Sequence, residues 1–189
     1  MSKKVKLVII FACISIFLIV YIFMFISVNF KFPQSTKEIY KIGEEFEYQN
    51  IKVKINDAYF VEDKELQKDK EFLDLVNHYY ENQSDNIKFV ILDMEIQNPD
   101  DQENSISLIP FHLESNDFSL QADLPFVMYL NECGMQLELK KNEIKKLKFP
   151  VPLSENFFRK SEWNKVKNRD YYLVYSLYPV KKMIEIDVN

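Results

Sequence analysis

Glycine is almost missing from this 189-residue chain: only Gly43 and Gly134 occur. Loops that cradle phosphates need several glycines close together, because a Cβ would block the approach of the backbone to the ligand, so nucleotide-binding loops of that kind are excluded. Cysteine and histidine are as scarce, at two each. Cys13 lies in an apolar run, which leaves Cys133 alone in the remainder, and no internal disulfide can form there. With 7 prolines and 47% apolar residues, the chain is also unlike a flexible, low-complexity segment. It has room for one domain plus an anchor.

Acids are missing from the first 30 residues. Lys3, Lys4 and Lys6 stand there, while all 29 acids follow, so residues 31–189 carry a formal net charge of −8. Nucleic-acid binding requires clustered cations that displace counterions, and it is excluded as a function of this remainder. The local basic spot at Lys145, Lys146 and Lys148 reads as a solvated strand edge or turn.

Leu7 to Ile26 form 20 consecutive residues without a charge, glycine or proline. As a helix they span about 30 Å, the thickness of a hydrocarbon core. The lysines before this run, against Lys31, Lys37 and Glu38 beyond it, favour an N-terminus inside the cell and a C-terminus outside. Two alternatives exist. A cleaved signal peptide has a shorter apolar core and a small-residue cleavage site, whereas Phe25-Ile26-Ser27 is a poor substitute for one. Lipidation at Cys13 would use Ile10-Phe11-Ala12-Cys13, but bulky Phe11 is unfavourable and the apolar run continues past the cysteine. The organisation expected is a cytoplasmic basic tail over 1–6, a transmembrane helix over 7–28, a linker over 29–38 and an extracytoplasmic domain over 39–189.

In that domain the dominant rhythm is period two. Ile51, Val53 and Ile55 alternate with Lys52, Lys54 and Asn56, after Phe46, Tyr48 and a turn at Gly43. From Lys88 to Gln97, Val90, Leu92, Met94 and Ile96 share one face, and Phe89 and Ile91 add apolar residues to the other, as in a central strand covered on both sides. Asn98-Pro99-Asp100-Asp101 ends it. Further strands are expected over Ile106–His112, Phe118–Ala122, Met135–Lys140, Lys145–Val151, Tyr171–Leu177 and Met183–Val188, with Asn116-Asp117 as a hairpin turn. Seven or eight short strands imply a mainly β domain, a sandwich or small barrel. Phe72, Leu75, Val76 and Tyr79 recur at helical spacing and predict a helix over Asp69–Tyr80, and Ser154–Lys167 offers a second, shorter one.

On these residues the chain resembles a group of bacterial surface proteins of unknown function with a telokin-like, immunoglobulin-like extracellular domain. The resemblance rests on Tyr40 to Phe46 with Ile51 to Ile55, and on Val90 to Asn98, a strand ending in asparagine. It spans Ile39 to Val188 and departs from the group in its poor lipobox and in the helix at Asp69–Tyr80. It implies an immunoglobulin-like β-sandwich behind an anchor or lipoprotein signal, serving as a binding or protective surface module.

No residue stands out as catalytic, cofactor-binding or metal-binding. His78 and His112 lack the spacing to cysteines or carboxylates that zinc sites show. A nucleophilic pair between Cys133 and either histidine has no supporting local motif. Asp100, Asp101 and Glu103, and Asp117 with Asp123, lack the calcium-loop pattern. Asn82-Gln83-Ser84 is a formal glycosylation sequon. Aromatic residues Tyr79, Tyr80, Phe157, Phe158, Trp163, Tyr171 and Tyr172 are core candidates, with an exposed subset able to form a contact. The reading favoured is a non-catalytic interaction or envelope-accessory module held by the membrane helix, its partner a protein or a cell-envelope polymer. The alternative is a ligand-sensing or hydrolytic protein using a pocket beside the inserted helix.

Overall fold

The structure, a computed structural model, describes residues 3–32, 35–62, 68–80 and 87–188. It divides into two compact units, Met1–Thr36 and Lys37–Asn189.

The first unit is helix α1, Lys3–Lys31. It is longer than the expected span at both ends and at 29 residues measures about 43 Å. Its side chains from Val5 to Lys31 are exposed on every face. An apolar surface of that extent matches a helix solvated by lipid, and the helix is long and apolar enough to cross a membrane.

The second unit contains eleven described strands. β1 (Thr36–Lys41), β2 (Glu45–Tyr48), β3 (Ile51–Val61), β4 (Ile87–Gln97), β5 (Asn104–Ser107) and β6 (His112–Ser115) come first. β7 (Phe118–Gln121), β8 (Gln136–Leu139), β9 (Ile144–Ser154), β10 (Tyr171–Ser176) and β11 (Val180–Ile186) follow. One sheet has the order β1-β11-β10-β6-β7, a second has β2-β3-β4-β9, and β5 pairs with β8 in a small third. A single core holds the two larger sheets in a sandwich. Val53, Ile55, Leu92, Met94, Phe149 and Val151 of one meet Leu113, Tyr171, Leu173, Tyr175, Ile184 and Ile186 of the other.

β4 is the central strand its double apolar face predicts. Its inward residues pair in register with β3, Val53 opposite Ile96 and Ile55 opposite Met94, until a bulge between Ile55 and Asp57 inserts one residue. That extra residue shifts the alternation, so Ala58 and Phe60 turn inward opposite Leu92 and Val90, while Tyr59 and Val61 turn outward opposite Ile91 and Phe89. Without the bulge the second half of β3 would present its polar residues to the core. β9 forms the other edge and carries Pro150 and Pro152, which have no N–H to offer an incoming strand.

One expected strand divides, and one helix is added. The strand expected over Ile106–His112 is two strands, since Ile109 and Pro110 form a turn closed by Phe111 N–H to Leu108 O at 3.1 Å; proline has no N–H for a ladder. A helix that periodicity did not reveal covers Leu124–Asn131 (numbered α3). It lies between two clusters, Phe126 packing outward and Val127 toward the main core, so it has no polar stripe to signal it. The expected helix near Asp69–Tyr80 is present as α2, Lys70–Tyr79, with Asp69 as N-cap accepting from Phe72 N–H at 3.0 Å. Between Ser154 and Lys167 the chain forms 3-10 turns at Glu155–Phe157 and Val166–Asn168 around a short α4, Lys160–Trp163.

Candidate functional site

The outer face of the β3-β4-β9 sheet is covered by α2 and α3. Phe72 and Val76, one turn apart on α2, pack with Ile87, Phe89 and Ile91 of β4 and with Phe126 of α3. Phe126 meets Phe89 edge-on at 4.9 Å between centroids and Phe72 at 5.6 Å. The two helices hold each other by their N-caps. Tyr129 at the end of α3 donates to Asp69 at 2.9 Å, and Tyr80 at the end of α2 donates to Asp123, the N-cap of α3, at 2.7 Å. Burial and the Asp123 bond both push the Tyr80 hydroxyl up, so it stays protonated as a donor. The space beneath the helices is thus filled by side chains that are at most 4% exposed. Among the described residues, this contact is packed by Phe72, Val76, Phe89 and Phe126.

A cleft of about 480 Å³ does open at the end of α3, lined by Asn56, Asp93, Asn131 and Lys148 among others. Lys148 donates to Tyr59 OH at 2.7 Å and to Asp93 at 2.8 Å. Burial alone would lower the Lys148 pKa, but the bonds to Asp93 and Tyr59 outweigh it and raise it. A lysine held protonated is a donor rather than a nucleophile or base. Asn131 ties α3 to β9, accepting from Lys148 N–H at 2.6 Å and donating to Lys148 O at 2.7 Å. With Glu95 and Lys146 opposite each other on the same ladder, the basic spot forms cross-strand ion pairs.

A second cleft, about 390 Å³, is lined by Asp117, Phe157, Phe158, Arg159, Glu162 and Arg169. The Arg169 guanidinium lies between the rings of Phe118, at 5.6 Å, and Phe158, at 5.4 Å. It pairs with Asp117 and, at 3.0 Å, with Glu162. The Asp117 bond, with further help from Glu162, raises the Arg169 pKa against the opposing effect of burial. Two acids engage its terminal nitrogens, which suits it to joining the β6–β7 turn to the α4 segment, while its buried Nε has no hydrogen-bond partner among the described residues.

The residues weighed for chemistry are dispersed. His78 is exposed on α2, edge-on to Tyr79. His112 is half-buried in β6, with Nδ1 2.9 Å from Pro110 O and Nε2 3.3 Å from Glu114. Cys133 follows α3 and packs against the main core. Asp117 and Asp123 serve Arg169 and Tyr80 respectively, and Asp100 N–H donates to Asn98. Among the described residues no group of three histidines, cysteines or carboxylates is arranged to hold a metal ion. The sequon at Asn82 lies outside the described residues. Of the aromatic candidates, Trp163 and Tyr171 are buried, Tyr80, Phe158 and Tyr172 half-buried, and Tyr79 and Phe157 exposed.

Sequence reasoning underrated Asn98. It is fully buried at the end of β4. Its side-chain amide donates to Gln102 O at 2.8 Å and Lys140 O at 3.0 Å, with a longer contact to Leu139 O at 3.4 Å. Its carbonyl accepts from Asp100 N–H at 3.1 Å. One side chain thus ties the loop after β4 to the turn after β8. The only advance signal was an asparagine directly after a strongly apolar strand.

These features define a β-sandwich with a helical layer on one face, behind a single apolar N-terminal helix. Residues 37–182 match the family described as Domain of unknown function (DUF5028), and the chain belongs to that family. Among solved structures it is similar to ycdA, a candidate lipoprotein of Bacillus subtilis, at 15% identity and a TM-score of 0.48, over 76% of this chain and 38% of that one. It is also similar to an uncharacterized β-sandwich protein of Clostridium difficile 630, at 13% identity and a TM-score of 0.44, over 80% of this chain and 97% of that one. A functionally unknown protein of Listeria monocytogenes EGD-e aligns at 13% identity and a TM-score of 0.44, over 75% of this chain and 70% of that one. No curated protein matches the chain.

Proposed function

We propose that the protein is a non-catalytic, single-pass module that displays an immunoglobulin-like sandwich outside the cytoplasm for interaction with a protein or polymer of the cell envelope. The observation that carries this reading is the division of the chain into an exposed apolar helix and a separate compact β domain. The three lysines before the helix support an outside location for the domain. Lys148 pairs with Asp93 between strands, and Arg169 pairs with Asp117 and Glu162 between a turn and a helix, which suits a rigid display scaffold.

The immunoglobulin-like part of the proposal draws on connectivity. β4 and β9 pair in one sheet while β6, β10 and β11 adjoin in the other, as the B–E and C–F–G strands do in such sandwiches. Tyr171, at the start of β10, donates its buried hydroxyl to Val166 O at 2.6 Å, five residues upstream. That bond corresponds to the tyrosine corner of those domains.

Protease added to intact cells tests the topology: the domain is degraded while the segment before the helix survives. A domain fully protected on intact cells but cleaved after lysis refutes the orientation. Crosslinking on intact cells, followed by purification of the full chain, tests the interaction. Adducts abolished by substitutions at exposed residues such as Phe157 or Tyr79 support a specific contact, and their absence under all crosslinkers counts against it.

A further inference from the structure

At the bulge in β3, Asn56 is the residue left without a partner on the β4 ladder. It is exposed, its side-chain amide makes no hydrogen bond among the described residues, and it lines the cleft of about 480 Å³ at the end of α3. The same cleft carries Asp93 and Glu95 of β4 and Lys146 and Lys148 of β9, which stand opposite each other as Asp93–Lys148 and Glu95–Lys146. Leu130 adds an apolar wall.

These pairs leave hydrogen-bonding capacity unused. An ammonium has three donors, and Lys148 directs one to Tyr59 OH at 2.7 Å and one to Asp93 at 2.8 Å. That bond engages only Oδ1 of the Asp93 carboxylate. The Lys146 side chain is 76% exposed, and its ammonium stands 3.7 Å from Glu95, too far for a good hydrogen bond. The framework behind these groups is fixed. Asn131 accepts from Lys148 N–H at 2.6 Å and donates to Lys148 O at 2.7 Å, as a residue of a neighbouring strand would. It thereby closes the free edge of β9 at this point, so a partner cannot join there as an added strand.

We propose that this cleft binds an uncharged, hydroxyl-rich glycan. The proposal rests on the reading of the domain as a module for a component of the cell envelope, and it narrows that component to a neutral glycan. The formal charges of the two acids and two lysines cancel, so the cleft favours neither a polyanion nor a polycation. A sugar hydroxyl both donates and accepts, which matches a lining where amide, carboxylate and ammonium groups alternate. The volume lies within the range of sites that hold small organic ligands. Because strand register and Asn131 hold Lys148 and Asp93 in place, little further ordering is needed on binding.

The test uses the full chain in phosphatidylcholine nanodiscs, which avoids detergents with sugar headgroups. Saturation-transfer NMR is recorded with maltotetraose, cellotetraose and chitotetraose in turn, and with tetragalacturonate as the anionic comparison. The expected result is transfer to at least one neutral tetrasaccharide. Asn56→Ala should weaken its Kd by about two- to tenfold, the loss of one hydrogen bond, with the melting read by Trp163 fluorescence unchanged. His78→Ala, at an exposed position on α2, should bind as the parent does. No transfer to any of the three, or parental affinity in an Asn56→Ala/Lys146→Ala double variant, overturns the cleft as the site. Tighter binding of tetragalacturonate overturns the neutral class. Crosslinked adducts on intact cells without saturation transfer overturn the cleft and leave the interaction reading standing, whereas the absence of both overturns both.

Discussion

Replacing Asn98 with alanine removes a side chain that nothing else in the loop can imitate. Two good donated bonds, at 2.8 and 3.0 Å, and one accepted at 3.1 Å are lost from a fully buried position. At about 0.5–1.5 kcal/mol net per bond, with the partners left unsatisfied in the interior, Asn98→Ala should cost about 2–4 kcal/mol. For a domain of this size each kcal/mol lowers Tm by about 2–4 °C, so a fall of roughly 5–15 °C is expected. Trp163, buried in the same domain, reports the transition by its fluorescence in the detergent-solubilised full chain. Asn98→Asp sharpens the test. It keeps an acceptor for Asp100 N–H but turns a negative oxygen toward the carbonyls of Gln102 and Lys140, so it should be at least as damaging as alanine. Ser119→Ala, at an exposed strand position, serves as the neutral control. An Asn98→Ala variant within about 0.5 kcal/mol of the parent, or a tolerated Asn98→Asp, refutes the reasoning.

Other perturbations bear on the rest of the domain. Phe126→Ala empties the centre of the aromatic layer and should cost about 3–5 kcal/mol, with hydrogen exchange in α2 and α3 accelerating before that in β4. Tyr171→Phe leaves Val166 O without its 2.6 Å donor in a buried site and should cost about 1–3 kcal/mol in urea unfolding, whereas Tyr172→Phe, half-buried in the same strand, should be near neutral. Burial alone would raise the Glu114 pKa, but the Lys181 bond and charge, with His112 behind them, hold it below the usual carboxylate range. Its contribution is therefore complete above the unfolded carboxylate value, near pH 4.3, and is lost as pH falls through the lower folded one. Glu114→Gln should reduce the steepness of the acid side of the stability curve, read as the urea midpoint against pH; an unchanged acid slope refutes the assignment.

Much of this architecture could be read without coordinates because its signals are local. Period-two alternation marked β2, β4, β8 and β11, and helical spacing of apolar residues marked α2. Twenty uncharged residues marked α1. Where the local signal was interrupted, reading failed. The bulge at Asn56 shifted the alternation of β3 and hid its second half, Pro110 divided one apolar stretch into β5 and β6, and α3 was invisible because opposite faces of it are buried.

What the sequence alone determined is therefore the class of the protein: an apolar helix of membrane length, an acidic strand-rich domain, and too few glycines, histidines and cysteines for several familiar chemistries. These follow from composition and short-range periodicity, which the unfolded chain already carries. Only the tertiary structure decided that Asp69 and Asp123 each receive a tyrosine from the opposite helix, and that Asn98 joins two loops. Such pairings join residues tens of positions apart, and their geometry is set by strand register and sheet order, which no local window contains.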